Sequence, residues 1–192
     1  MHVVGTALAQ KIAAAVGPGP ARNLIDIGGA SGTYTIAFLR AALEMKATLF
    51  DRPAVIEIAR ERLAEAEMLD RVRLTAGDFY KDELPGGHDL ALLSAIIHQN
   101  GPEQNVELFR KVLRSLLPGG RVIIRDHVME PGRTAPRDGA VFAVNMLVNT
   151  AGGSTYTFEE IKNWLEEAGF SRVRLFKPGE HMDALIEAFK PA

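Results

Sequence analysis

The chain contains no cysteine, which excludes disulfides and thiolate metal sites. That is compatible with a reducing, cytoplasmic setting. No basic run stands out and the formal net charge is −2, so a nucleic-acid partner is not favoured. No apolar run reaches the roughly 20 residues of a membrane span, and the N-terminus lacks the charged start and apolar core of a secretory signal. No His, Asp or Glu grouping has zinc-like spacing, so no metal is expected. Internal repeats and low-complexity segments are also missing. What is there is the composition of a globular protein: 192 residues, 47% hydrophobic and 24% charged, enough for one domain with a sizeable core.

Strand-like and helix-like segments alternate. Leu24–Ile27, Ala47–Phe50, Val72–Thr75, Leu90–Leu93 and Val122–Ile124 are short apolar runs of the kind found in sheets covered on both faces. Between them, Thr33–Leu43 offers Ile36, Phe38, Leu39 and Leu43 to a core. Pro53 opens a second helix with Val55, Ile56, Ala59, Leu63 and Ala66 at helical spacing. Pro102 opens a third, with Val106, Phe109, Val112, Leu113 and Leu116 on one face and Pro118-Gly119-Gly120 as its stop. Phe142–Val148 and Phe158–Ala168 read as helices, the latter with Thr157 as N-cap. Val173–Phe176 and Leu185–Phe189 close the chain as two strands joined by a polar turn. Repeated β-α units predict an α/β fold with a doubly wound, mainly parallel sheet. Two closing strands with no helix between them predict an antiparallel hairpin at one edge.

The most informative stretch is Leu24-Ile25-Asp26-Ile27-Gly28-Gly29-Ala30-Ser31-Gly32. It reads as a buried strand that turns through small residues into a helix, the place where an α/β sheet binds a nucleotide-type cofactor. The dinucleotide pattern G-x-G-x-x-G fits poorly, because counting from Gly28 puts Ala30 and Thr33 where glycines belong. The pattern D-x-G-x-G-x-G fits better, as Asp26, Gly28, Ala30 and Gly32 with one alanine for a glycine, and resembles the first motif of class I S-adenosylmethionine (SAM) methyltransferases. An ordinary strand-to-helix turn is the plainer alternative.

A second motif, Leu49-Phe50-Asp51-Arg52-Pro53, places Asp51 25 residues beyond Asp26. An acidic side chain there can accept from both ribose hydroxyls of any adenosine-containing cofactor, or simply cap the helix that Pro53 starts. A third, Gly77-Asp78-Phe79-Tyr80, offers an acceptor for an adenine amino group and a flat apolar ring, or a plain turn.

With Ile97-His98 and Leu117–Asp126 added, the series resembles the catalytic domain of the small-molecule O-methyltransferases, over roughly residues 1–190. This family includes caffeate, flavonoid and hydroxyindole enzymes and antibiotic-tailoring enzymes. The resemblance implies a seven-stranded class I methyltransferase sheet, SAM as cofactor with S-adenosylhomocysteine (SAH) as product, and transfer of a methyl group to a hydroxyl of a small aromatic acceptor. It implies that Gly28, Gly29 and Ala30 lie against the methionine and ribose parts, and that Asp26, Gly32 and Arg52 complete the cofactor site. Asp51 would hold the ribose hydroxyls, and Asp78 and Phe79 the adenine. Ser94 matches a cofactor-contacting position usually filled by a larger polar residue. His98 matches the general base, Asp126 an acid that orients it, and Met146 and Asn149 fall in a segment lining the acceptor pocket. A histidine suits the base role because it titrates near pH 7; the plainer alternative is a polar residue where a strand leaves the core.

The sequence departs from the family pattern in three places. His98 is followed by Gln99-Asn100 rather than Asp-Trp. Thr155 stands at or near the position of a second acid after Gly152-Gly153. Met1-His2 begin near where the family's N-terminal dimerisation domain ends, and Met1 resembles an internal methionine of its linker helix; a truncated catalytic domain, or a gene lacking the partner domain, with a weakened homodimer is the expectation. Alternatives are a SAM-binding relative that decarboxylates or hydroxylates, a weak SAM-binding module acting through a partner, and a nicotinamide-dependent oxidoreductase. His88 in the Pro85-Gly86-Gly87 turn reads as solvated, His181 as a hairpin-turn residue, and His127 as a residue that either lines the pocket or does not. Arg125, Arg133 and Arg137 read as surface or pocket-rim charges.

Overall fold

The computed structural model describes residues 2–192, with side chains from residue 5 onward; Met1, compared above with a linker methionine, lies outside the described residues. Nine strands and six α-helices follow in the order α1 (His2–Val16), β1 (Asn23–Ile27), α2 (Thr33–Ala41), β2 (Lys46–Asp51), α3 (Pro53–Glu65), β3 (Val72–Ala76), β4 (His88–Ser94), α4 (Pro102–Ser115), β5 (Leu116–Asp126), β6 (Val128–Met129), α5 (Arg137–Asn149), β7 (Tyr156–Thr157), α6 (Phe158–Glu167), β8 (Ser171–Lys177) and β9 (Ala184–Phe189). Seven of the strands form one sheet in the order β3-β2-β1-β4-β5-β9-β8. The first five are parallel, and β9 and β8 run antiparallel as the expected hairpin.

Strand alternation divides the apolar residues between two cores. Leu24, Leu49, Leu90, Leu92, Ile123 and Leu185 face α1, α2 and α3, where Ile12, Phe38, Leu39 and Leu63 meet them. Ile25, Ile27, Leu93, Ile124 and Ile186 face α4 and α6, where Phe109, Val112, Ile161 and Leu165 meet them. The central strands are therefore mostly apolar, and Asp26, Asp51, Ser94 and Asp126 fall at or next to their carboxyl ends, where the sheet opens to ligands.

Several sequence expectations need correction. The α2 helix stops at Ala41, so Leu43 is 79% exposed rather than in the core. The α4 helix stops at Ser115, ahead of Pro118-Gly119-Gly120, and the chain passes directly into β5. His88 is not a solvated turn residue: it begins β4, is buried, and shares a hydrogen bond with Thr48 Oγ1 at 2.9 Å. Thr157 does cap α6, with a reciprocal bond from its own N–H to Glu160 at 2.9 Å. α1 and the small parallel pair β6–β7, whose Met129 packs against Gly139 near the start of α5, had no sequence expectation.

Candidate active site

The turn after β1 is built on a buried acid. Asp26 is 1% exposed and its Oδ2 accepts from the Thr35 hydroxyl at 2.6 Å. Burial pushes its carboxyl up to about 6, against the lowering effect of the Thr35 hydrogen bonds. Gly28 follows with φ +68°, and a Cβ there would come within 2.6 Å of Ile96 Cδ1, so both conformation and space call for glycine. Gly29 packs against Leu49 and Asp26, and Gly32 caps α2. Ala30 adopts φ +48°, a conformation that L residues rarely take. Its N–H is tethered to Asp51 Oδ2 at 2.9 Å. The other oxygen of Asp51 accepts from Arg52 N at 2.7 Å; Arg52 itself is the residue preceding α3, which has no side-chain cap. Asp51 thus ties the end of β2 to the glycine turn rather than capping a helix.

Beyond β3, Asp78 Oδ1 accepts from Tyr80 N at 3.0 Å, and the half-buried Phe79 ring faces Gly28. Ser94, at the end of β4, accepts from Arg125 Nε at 2.7 Å. A cavity of about 480 Å³ joins Asp26, Gly28, Gly29, Ala30 and Ser94 with Tyr34, Arg125, and Gly5 and Leu8 of α1. Asp51, Asp78 and Phe79 lie outside its lining. Arg125 is only 7% exposed, which corrects the expectation of a surface or rim charge. Tyr34, Arg125 and α1 have partners distant in sequence, and no local signal marked them. Arg133 reaches the Thr155 carbonyl and Glu160, and Arg137 borders two cavities beside α5, one of them shared with His127 and Phe142.

His98 sits in a 3₁₀ turn, Ile97–Gln99. Its Nδ1 lies 2.9 and 3.0 Å from the two oxygens of Asp126, and both side chains are buried. A carboxylate only accepts, so the shared proton belongs on Nδ1 and the lone pair on Nε2. Asp126 also accepts from His127 N at 2.8 Å. The Phe142 ring of α5 meets His98 edge-on with centroids 4.9 Å apart. Thr155 is spent on the Gly139 carbonyl at 3.2 Å, so among the described residues Asp126 is the acid bonded to His98. Asn100, which replaces the family's tryptophan, is buried and bonds Asn105 and Tyr80, holding the turn in place.

His127 is buried with Nδ1 unpartnered, its ring against Phe142, and burial pushes its pKa below the ordinary imidazole value. His181 is exposed and pairs with Asp138. Met146 is buried on the inner side of α5, whereas Asn149 is exposed and gives its amide to Asn145. A larger cavity of about 1180 Å³, bordered by Met129, Pro136, Phe158 and His181, contains none of the predicted site residues. Among the described residues, no group of His, Asp or Glu side chains is arranged to hold a metal ion, and no helix is long and apolar enough to cross a membrane.

The profile of the O-methyltransferase domain matches residues 6–171. The chain is 38% identical over 174 residues to the 3-hydroxy-5-methyl-1-naphthoate 3-O-methyltransferase of Streptomyces sahachiroi, an alignment covering 91% of this chain and 50% of that protein. Among solved structures, the S-adenosylmethionine-dependent methyltransferase SibL superposes with a TM-score of 0.83 at 30% identity, over 97% of this chain and 56% of SibL. PigF, solved with SAH, superposes with a TM-score of 0.82 at 27% identity, over 88% of this chain and 51% of PigF. The chain spans about half the length of the curated relatives it matches.

Proposed function

The chain belongs to the O-methyltransferase domain family, and on that premise we propose that it is a catalytic unit that methylates a hydroxyl group of a small aromatic acceptor with SAM. The observation that carries the reading is the buried His98–Asp126 pair at the same strand-end face of the sheet as the glycine turn. The residues present fit the cofactor: Asp26 and the glycine turn line the cavity, and beside that turn stand the apolar ring of Phe79, next to Gly28, and Asp51, bonded to Ala30 N. Bound SAM supplies an electrophilic methyl group on a sulfonium. Asp51 holds the ribose hydroxyls with the lone pairs left after its two backbone bonds, Asp78 and Phe79 hold adenine, and Gly28, Gly29 and Ala30 flank the tail.

A neutral phenol is a poor nucleophile. His98 would take the hydroxyl proton on Nε2 as the acceptor oxygen displaces SAH from the methyl carbon, and Asp126 would stabilise the resulting imidazolium through Nδ1. Met146 and Asn149 border the acceptor, with Phe142 fixing the imidazole plane. The 3-O-methyltransferase activity of the Streptomyces naphthoate enzyme makes hydroxylated naphthoates the first acceptors to try.

The test is a panel of hydroxylated naphthoates and simple phenols incubated with SAM and followed by mass spectrometry. Methylated product is expected, with kcat reduced about 10²- to 10⁴-fold in His98→Ala and SAH affinity unchanged. Methyl transfer that survives in His98→Ala would remove the base role. SAM binding with no methylated product from any acceptor would instead favour a relative that does not methylate.

A further inference from the structure

Arg125 projects from the carboxyl end of β5, directly across the parallel pair from Ser94. Three contacts fix it: Nε donates to Ser94 Oγ at 2.7 Å, Nη1 donates to the Met182 carbonyl, and the guanidinium carbon lies 5.1 Å from the Tyr34 ring centroid. It lines the cavity that holds Asp26 and the glycine turn. Among the described residues, Arg125 forms no ion pair, and Nη2 has no hydrogen bond. A guanidinium does not lose its proton, and a buried charge without a counter-charge is unfavourable. A fixed cation facing a ligand cavity calls for an anion from the ligand.

SAM carries one carboxylate, on its methionine tail. We propose that Arg125 binds this α-carboxylate, with Ser94 serving as its brace instead of contacting the cofactor through a larger side chain of its own. Arg125 stands across from Ser94 in the sheet, and both line the same cavity. Planar guanidinium suits a carboxylate because Nη1 and Nη2 present parallel donors. Tyr34 and Met182 restrict the side chain, so little rotamer entropy is lost on binding. This inference rests on the reading of the cavity as a SAM site.

Calorimetry with SAM and with decarboxylated SAM, which keeps the sulfonium and the amine but lacks the carboxylate, separates the two readings. Wild type is expected to bind SAM about 10- to 100-fold more tightly than the decarboxylated form, the range of one charged hydrogen-bonded contact. Arg125→Ala is expected to lose that factor for SAM alone, leaving decarboxylated SAM within about threefold. Arg125→Lys, which keeps the charge and guards against loss of the fold, is expected to recover part of it. Equal losses for both ligands, or no loss for SAM, would overturn the carboxylate role and leave the cofactor reading standing. Failure of wild type to bind either ligand would overturn the cofactor reading and this inference with it.

Discussion

Asp26 is an acid with one side-chain partner and almost no contact with water. Its carboxyl titrates at 3.8 when free and about 6 in the fold. Between those values the folded state holds a proton that the unfolded chain releases, so this group's contribution to stability falls as pH rises from about 4 to 6 and stays low above. Two pH units amount to about 3 kcal/mol. Asp26→Asn keeps an acceptor for the Thr35 hydroxyl and never ionises. Its unfolding free energy relative to wild type is expected to be near zero at pH 4 and to rise by about 1–3 kcal/mol by pH 7, followed by urea denaturation across that range. A pH-independent difference would sink this account. An acid that costs stability and borders a ligand cavity fits a group retained for binding. Asp26 and Asp51 were legible in the sequence because each lies at or next to the end of a strand, beside small or turn-forming residues. Arg125 was not legible: a charge in an apolar strand has no local explanation, and its partners Ser94, Tyr34 and Met182 are brought to it only by the sheet order.

The elements that carry His98 are short and depend on one another. The Asn105 side chain donates to the Ile97 carbonyl at 3.0 Å, and Tyr80 and Tyr156 both donate to Asn100. The Gly152-Gly153 turn after α5 presses on the same segment, and a Cβ on Gly153 would collide with the His98 carbonyl oxygen. Gly153→Ala must therefore push either the turn or the histidine. It is expected to cost about 1–3 kcal/mol of stability and to lower kcat roughly tenfold or more through misplacement of His98, while SAH affinity holds because the glycine turn of β1 is separate. Thermal unfolding, methyl transfer and SAH titration check the three parts, and full kcat in Gly153→Ala would show that the turn does not position the base. The seven strands of the main sheet and α6 were readable from periodicity and end signals, and α4 from its periodicity and Pro102. The α1 helix was not, because its apolar residues, Val, Ala, Leu and Ile, form no clear stripe against a polar face. His88 was misread because Gly86-Gly87 signal a turn, whereas the hydrogen bond to Thr48 that buries it comes from a strand 40 residues away.

At the scale of the whole molecule, both faces of the sheet are covered, α5 is not, and the helix is apolar on two sides. Gly139, Phe142 and Met146 share the side turned toward β6 and His98. Val141, Val144, Leu147 and Val148 lie away from it and are 62–77% exposed. A helix apolar all round is ordinarily buried all round, and adjoining exposed aliphatic residues favour association. The chain in solution is therefore expected to self-associate with rising concentration and to bind a hydrophobic dye. The double variant Val144→Glu with Leu147→Lys is expected to suppress both. Its unfolding free energy should stay within about 0.5 kcal/mol of wild type, because neither side chain contributes to a core. Sedimentation velocity over a concentration series, with dye fluorescence and urea denaturation alongside, reads all three. Association that is undiminished in the double variant would place the sticky surface elsewhere; loss of stability would mean that these side chains are covered in solution. Because Met146 and Phe142 sit on the opposite side of the same helix, an occupant of the outer face would also stiffen the wall beside His98. The variant's KM for acceptor should then rise more than its kcat falls.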